Sequence, residues 1–544
     1  MTVAIELGQS TTPLLDETIG ESLERTVAEH PDAEALVEVA TGRRWSWREF
    51  DDAVNEIARG LLSDGVAVGD RVGIWAPNCA EWTIVQFAAA KVGAILVNVN
   101  PSYRTHEFAY AVQQSGLRML FTVTSFKTSE YRAMVSEVVA AGDAGSLERT
   151  VYVDTADWAE LIADGDQIAA DAVAQRMATL APDDAINIQY TSGTTGFPKG
   201  ATLSHRNILN NGYFTTELIN LTAADRLCIP VPFYHCFGMV MANLGCVTHG
   251  TTMVIPAPGF DPETTLRTIA DERCTGVYGV PTMFIAMQNH PDFTSFDLTS
   301  LRTGIMAGSI CPVEVMKRCV EEMHMREVSI AYGMTETSPV SCQTRADDDL
   351  ERRTATIGRA APHVEIKIVD PVTGATLPRG ETGEFCTRGY SVMLGYWNDA
   401  EKTAEAIDAD GWMHTGDLAV MRADGYCNIV GRIKDMVIRG GENIYPREIE
   451  EFLYTHPDIE DVQVIGVPDE RYGEELCAWI KVKDGARPLD ADAVRAFAAG
   501  RLAHFKIPRY VLIVEEFPMT VTGKIRKVEM RERSARELGL TDDG

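Results

Sequence analysis

The chain has 544 residues, more than a single hydrophobic core organises, so at least two structural units are expected. Hydrophobic residues make up 45% and charged residues 24%, ordinary for a soluble globular protein. Against 49 Lys and Arg stand 79 Asp and Glu, a formal net charge of −30, which argues against nucleic acid or anionic lipid as a general partner.

The N-terminal segment is acidic and lacks a basic stretch followed by an apolar one, so neither a secretory signal nor a mitochondrial presequence is expected. The 11 cysteines are scattered without a CxxC pair, which points to reduced thiols and a cytoplasmic protein. Ser46 and Glu49 have capping-box spacing. Phe50, Val54, Ile57, Leu61 and Leu62 follow at helical spacing and Gly65 closes the run, predicting a helix. The most apolar stretch, 82–99, is interrupted by Gln86 and Lys91 and makes a poor membrane span. Short apolar runs at 72–75, 94–99, 119–123 and 186–190 read as strands. Their alternation with helical patterns predicts an α/β protein with helices on the faces of layered sheets.

After the strand at 186–190 comes Tyr190-Thr-Ser-Gly-Thr-Thr-Gly-Phe-Pro-Lys-Gly200. Gly193 and Gly196 let the backbone approach a ligand closely. The hydroxyls of Thr191, Ser192, Thr194 and Thr195 can donate to phosphate oxygens, Lys199 supplies charge, and backbone N–H groups in such turns form an anion nest. It is not a Walker A loop, because no Gly-Lys-Ser/Thr closes it. Further along stand Tyr332-Gly-Met-Thr-Glu336, Thr415-Gly-Asp417, Gly431-Arg-Ile-Lys-Asp435, Arg439-Gly-Gly-Glu-Asn-Ile-Tyr445 and Pro518-Met-Thr-Val-Thr-Gly-Lys-Ile-Arg526. A boundary is read near 431–435, dividing a large N-terminal domain, 1–433, from a small α+β domain, 434–544. The small domain has helices predicted near 447–454 and 491–502 and strands near 462–467, 476–482 and 510–514.

From about residue 23 to 529 the chain, with these segments in order, resembles the adenylate-forming superfamily of acyl-CoA synthetases, luciferases and peptide-synthetase adenylation domains. The resemblance implies that the 191–199 loop cradles the phosphates of ATP and that Tyr332 stacks on adenine, flanked by Gly308 and Ser309. It implies that Thr335 contacts the α-phosphate, Glu336 holds Mg²⁺, and Asp417 and Arg432 bind the ribose. Lys524 takes the place of the catalytic lysine, Lys434 that of the hinge, and Gly440 and Gly441 that of the loop entering a mobile C-terminal domain. The implied reaction joins a carboxylate to AMP with release of pyrophosphate, then passes the acyl group to coenzyme A. ATP, CoA and a fatty acid are the implied substrates, with Mg²⁺ as cofactor.

Pro232-Phe-Tyr-His-Cys-Phe-Gly-Met239 resembles the segment lining and gating the acyl pocket, with His235 as gate and Phe237 as lining. Segments 279–284 and 304–309 resemble the other walls, so Met283, Phe284, Gly304 and Met306 are expected there, and Met334 is expected to complete an apolar lining. In the acetate-specific branch a tryptophan stands where this chain has Gly333, so an extended pocket for a medium- or long-chain fatty acid is implied, with an aryl acid as the alternative. Three rival readings use the same motifs: a fatty-acyl-AMP ligase loading a carrier protein, a non-catalytic acyl or nucleotide sensor, and a luciferase-like oxygenase that uses the same adenylate. The sensor could dispense with Lys524 and Glu336, yet both are present. Lys524 also resembles a lysine acetylated in bacterial relatives, which implies a regulatory modification that removes its charge. No motif distinguishes a monomer from a homodimer.

Overall fold

The protein is described by a computed structural model covering residues 2–191, 198–309, 311–440, 442–483, 485–486, 489–519 and 525–540. The chain forms two compact units. The larger comprises Glu6–Ile366 and Thr387–His414; the smaller comprises Met1–Ile5, Lys367–Cys386 and Thr415–Gly544. The boundary expected between 433 and 434 falls inside the smaller unit, which also takes in the segments on either side of Thr387–His414.

The larger unit holds two sheets of mostly parallel strands. One has seven strands in the spatial order Gly395–Tyr396, Lys199–Ser204, Ala185–Thr191, Ile95–Asn98, Arg71–Trp75, Met119–Thr122 and Arg149–Tyr152. The first two of its six pairings are antiparallel and the other four are parallel. The four apolar runs predicted as strands are four of these. They are largely apolar, as strands of a mostly parallel sheet are, with Asn98, Asn187 and Gln189 as polar exceptions. The other sheet has nine strands and carries four neighbouring parallel ones, Arg226–Cys228, Gly276–Gly279, Thr303–Ala307 and Glu327–Gly333.

The predicted helix is Trp47–Ser63, with both halves of the Ser46–Glu49 capping box formed and Gly65 at φ +71° just beyond its end. The apolar stretch after it folds as the helix Ala80–Val92, buried along its whole length. Lys91, wholly buried, is tolerated there because its ammonium meets Asp51 at 2.7 Å and Glu24 at 3.3 Å. Among the described residues no helix is long and apolar enough to cross a membrane.

The smaller unit contains a mixed sheet in which Ile459–Asp469 and Gly473–Val482 pair antiparallel along ten registered positions and Tyr510–Ile513 adds in parallel. One face packs Ile449 and Leu453 of the helix Pro446–Leu453 and Val494 of the helix Ala491–Ala498 onto Val462, Leu476 and Ile480. The other packs Met530 of the helix Lys527–Glu537 onto Ile465, Val467 and Trp479. The predicted helix at 491–502 stops at Ala498, and Gly500, at φ +73°, follows it.

Candidate functional site

The four parallel strands of the nine-stranded sheet end side by side. Each is followed by one of the segments singled out in the sequence: 232–239, 279–284, 308–309 and 332–336. The C-terminal ends of parallel strands are where open α/β sheets bind ligands, since the chain there turns away from the sheet and leaves a crevice. In the seven-stranded sheet, Ala185–Thr191 runs out to the phosphate-loop segment and Lys199–Ser204 returns antiparallel, with Thr191 opposite Lys199 and Tyr190 opposite Gly200. The two ends of the loop are therefore fixed by a β-ladder. Ser192, Gly193, Thr194, Thr195 and Gly196 themselves lie outside the described residues, as do Gly441 and Lys524.

Glu336 sits in the short 3₁₀ turn Thr335–Thr337 directly after the strand Glu327–Gly333 and is 6% exposed. Its Oε1 accepts a hydrogen bond from the Tyr396 hydroxyl at 2.8 Å and a longer one from Thr191 Oγ1 at 3.4 Å. Lys199 Nζ lies 4.8 Å from the centroid of the Tyr396 ring, a cation–π contact. Thr191, Lys199, Glu336 and Tyr396 thus converge. Burial, and next the Glu336 charge, push the Tyr396 phenol well above its ordinary range, so it stays a neutral donor. Tyr332 and Met334 are half-buried beside this turn, and Gly308 and Ser309 are exposed at the end of the adjacent strand. Gly308 has φ +90°, and a Cβ there would come within 3.1 Å of Val280.

The candidate acyl residues divide. Half-buried Phe237 stacks on Tyr278 at 5.5 Å, half-buried His235 packs on Tyr234 at 4.3 Å, and Met283 is half-buried at the start of the helix Pro281–Gln288. Met306 is instead wholly buried in a core with Phe284, Met287 and Met316. A Cβ on Gly304 would stand 2.1 Å from the Val277 carbonyl oxygen, so this glycine lets two strands approach closely.

In the smaller unit, Asp417 and Arg432 are a cross-strand pair on Met413–Met421 and Cys427–Arg432. Arg432 Nε donates to Asp417 Oδ1 at 2.9 Å; the carboxylate is nearly buried and the guanidinium side chain is 61% exposed. Lys434 is exposed in the turn Ile433–Asp435. Gly440, at φ +61°, stands in the two-residue connection between Val437–Arg439 and Glu442–Ile444, where Arg439 pairs with Glu442. Such hairpins need positive φ, a backbone reason for glycine beside any ligand approach.

Two features were not read from the sequence. Tyr396 lies outside every motif quoted and is distinguished only by tertiary contact. The other is a buried chain of amides. Asn187 Nδ2 donates to Asn98 Oδ1 at 2.9 Å, Gln189 Nε2 donates to Asn187 Oδ1 at 2.9 Å, and Cys236 Sγ donates to Gln189 Oε1 at 3.3 Å. Asn98 Nδ2 in turn donates to the Tyr234 carbonyl at 3.0 Å. The chain ties the strand leading into the phosphate loop to the segment 234–239, which continues as a π-helix, Phe237–Leu244. Two amides at alternate positions of an apolar strand, Asn187 and Gln189, were the available signal.

A family model described as "AMP-binding enzyme" matches residues 23–397, and one described as "AMP-binding enzyme C-terminal domain" matches residues 448–524. The chain is 49% identical to the putative acyl-CoA synthetase YngI of Bacillus subtilis (strain 168), with 97% of this chain and 99% of YngI covered. It is 45% identical to the mitochondrial medium-chain acyl-CoA ligase ACSF2 of Danio rerio, covering 99% and 92%. Among solved structures, ATP-bound MatB from Rhodopseudomonas palustris superposes with a TM-score of 0.81 at 28% identity, covering 96% of this chain and 99% of MatB.

Proposed function

The chain belongs to the AMP-binding enzyme family, and from that premise we propose that it is an ATP-dependent acyl-CoA synthetase acting on medium-chain fatty acids. The observation that carries this reading is the convergence of Thr191, Lys199 and Glu336 at strand ends. The medium-chain assignment is supported by the 45% identity to the Danio rerio ligase over nearly both full lengths.

A carboxylate is a poor electrophile until it carries a good leaving group. In the first step a carboxylate oxygen attacks the α-phosphorus of ATP, the bond to the bridging oxygen of pyrophosphate breaks, and acyl-AMP forms. In the second the CoA thiolate attacks the acyl carbon, the bond to AMP breaks, and the thioester leaves. Two anions meet in the first step, so fixed positive potential around the α-phosphate is the main requirement. Lys199, the hydroxyls of the 191–195 segment, Thr335 and Lys524 are the groups of this chain that supply it. Asp417 accepts hydrogen bonds from the ribose, with Arg432 beside it. Tyr332, Gly308 and Ser309 form the adenine side.

The Glu336 carboxylate fits Mg²⁺: it is a hard oxygen donor, nearly buried, with its Oε1 already held by hydroxyls. Mg²⁺ held there would neutralise charge on the ATP phosphates. Phe237, Met283, Gly333 and Met334 form the acyl side, His235 is the gate, and Gly304 and Met306 are its core backing. The domain 434–544 turns about Lys434 between the two steps, with Gly440 and Gly441 on the path of the pantetheine arm. Ten of the eleven cysteines are buried, and we read them as reduced thiols of a cytosolic protein.

Pyrophosphate exchange across straight-chain acids from acetate to palmitate, with and without CoA, tests this reading. Exchange that peaks at medium chain length without CoA, and net thioester formation once CoA is added, is expected. Exchange without thioester, combined with loading of a carrier-protein pantetheine, would replace CoA as acceptor; no exchange with any acid would sink the enzyme reading.

A further inference from the structure

We propose that Tyr396 is a positioning residue for the Glu336 carboxylate: its hydroxyl holds one carboxylate oxygen and so turns the other toward the divalent cation that accompanies ATP. The proposal rests on the reading of Glu336 as the cation ligand.

Backbone and side chain both point to it. Gly395–Tyr396 is the edge strand of the seven-stranded sheet, with Gly395 opposite Thr202 and Tyr396 opposite Ala201. On either side, Leu394 N–H donates to the Thr202 carbonyl at 2.9 Å and Trp397 N–H to the Gly200 carbonyl at 2.7 Å. Met393 N–H donates to the carbonyl of Glu336 itself at 2.9 Å. The segment 393–397 is therefore tied at once to the strand leaving the phosphate loop and to the turn that carries Glu336. From this brace the Tyr396 hydroxyl reaches Glu336 Oε1 at 2.8 Å, and both side chains are nearly buried. The same ring lies under Lys199 Nζ. One aromatic side chain thus sets the metal-side carboxylate and a phosphate-side cation relative to each other.

The choice of a phenol has a physical reason. Mg²⁺ demands near-ideal octahedral geometry, so a carboxylate free to rotate must be ordered when the ion arrives. A lysine or arginine in place of Tyr396 would order it but would also neutralise the charge the ion needs. A neutral hydroxyl orders one oxygen and leaves the full negative charge in place. Partners that orient metal ligands in this way change metal affinity by about 10–100-fold when removed.

Calorimetric binding of ATP to the full-length protein, in Mg²⁺ and in EDTA, and of AMP, tests this with the parent, Tyr396→Phe and Tyr396→Leu. The Phe variant keeps the ring and loses only the hydroxyl. It should keep the parent's AMP affinity and unfolding temperature and lose about tenfold of the Mg²⁺-dependent gain in ATP affinity. The Leu variant, lacking the ring over Lys199 as well, should also weaken ATP binding in EDTA. Mn²⁺ bound with ATP, followed by its spin resonance, should be released at lower ATP from the Phe variant than from the parent. A Phe variant with the parent's full Mg²⁺ increment overturns the proposal, whatever its stability. Equal weakening of AMP and Mg²⁺-ATP also overturns it, because the loss would then be one of packing. A parent without any Mg²⁺-dependent gain overturns the reading of Glu336, and the proposal with it.

Discussion

At Gly333 there is no room for a side chain: a Cβ added there would stand 1.7 Å from the Pro339 carbonyl oxygen. The strand register slips at this point, and Met334 N–H donates to the same carbonyl at 3.0 Å. The glycine that the sequence offered as an open pocket floor is thus also demanded by a tight backbone turn. A second single-residue effect concerns pH. His205 is fully buried at the head of the helix His205–Glu217, and its Nδ1 accepts a hydrogen bond from Ile19 N–H at 3.1 Å. Burial holds its pKa down to about 3, against 6.5 in an open chain. The folded protein therefore keeps this ring neutral. Below pH 6.5 the unfolded chain takes a proton that the folded one refuses, so stability falls by about 1.4 kcal/mol per pH unit until the folded pKa is reached. Above pH 6.5 the contribution is complete. Denaturant unfolding of the parent and of His205→Asn, whose side-chain oxygen can still accept from Ile19, should show the steeper loss between pH 6.5 and 4 in the parent. Equal slopes would remove His205 from the account.

At the scale of elements, the amide chain from Asn98 through Asn187 and Gln189 to Cys236 ties a strand to the segment assigned to the acyl side. Within it every named donor has an acceptor, which is the condition under which buried polar groups rigidify a core and do not weaken it. Gln189→Ala strands the Cys236 thiol and the Asn187 carbonyl oxygen. The expected cost is about 1–3 kcal/mol in the unfolding of the larger unit. In kinetics, KM for the fatty acid should rise more than KM for ATP, because Thr191 and Lys199 are still fixed by their own ladder. An equal rise in both would mean that the amides support the strand and not the acyl segment. This network was half legible: Asn187 and Gln189 alternate along an apolar strand, but their partners lie about ninety residues upstream and fifty downstream, and only the sheet order makes them neighbours.

At the scale of the whole molecule, the proposed chemistry asks one site to serve two half-reactions. The reading that the C-terminal domain turns predicts two separable lesions. Lys524→Ala should reduce pyrophosphate exchange by about 10²–10³, the usual cost of one preorganised charge, while supplied acyl-adenylate is still converted to thioester. Lys434→Pro should spare adenylation and lose thioester formation, since a hinge works by a few residues absorbing a backbone change. Both steps can be followed separately on one preparation. Loss of both steps to the same degree in both variants would sink the turning-domain account. A net charge of −30 gives polyanionic substrates no general attraction, so the proposed site has to draw them in through local groups such as Lys199 and Arg432.

The sequence by itself determined the α/β class and most of the strands and helices, because these follow from local periodicity, capping and turn chemistry, and it determined the family through the resemblance of its ordered motifs. Glu336, Asp417 and Arg432 were singled out through motifs that resemble the family's, and Lys199 also through the chemistry of its own loop. Only the tertiary structure decided that Tyr396 meets Glu336 from sixty residues away, that Met306 and Gly304 belong to a core, and that Gly333 answers to a carbonyl oxygen. The physical reason is the same in each case. Burial and hydrogen-bond pairing depend on which backbone segments lie side by side, and neither the order of strands in a sheet nor the local slip of register at Gly333 is written in the pattern of any one strand.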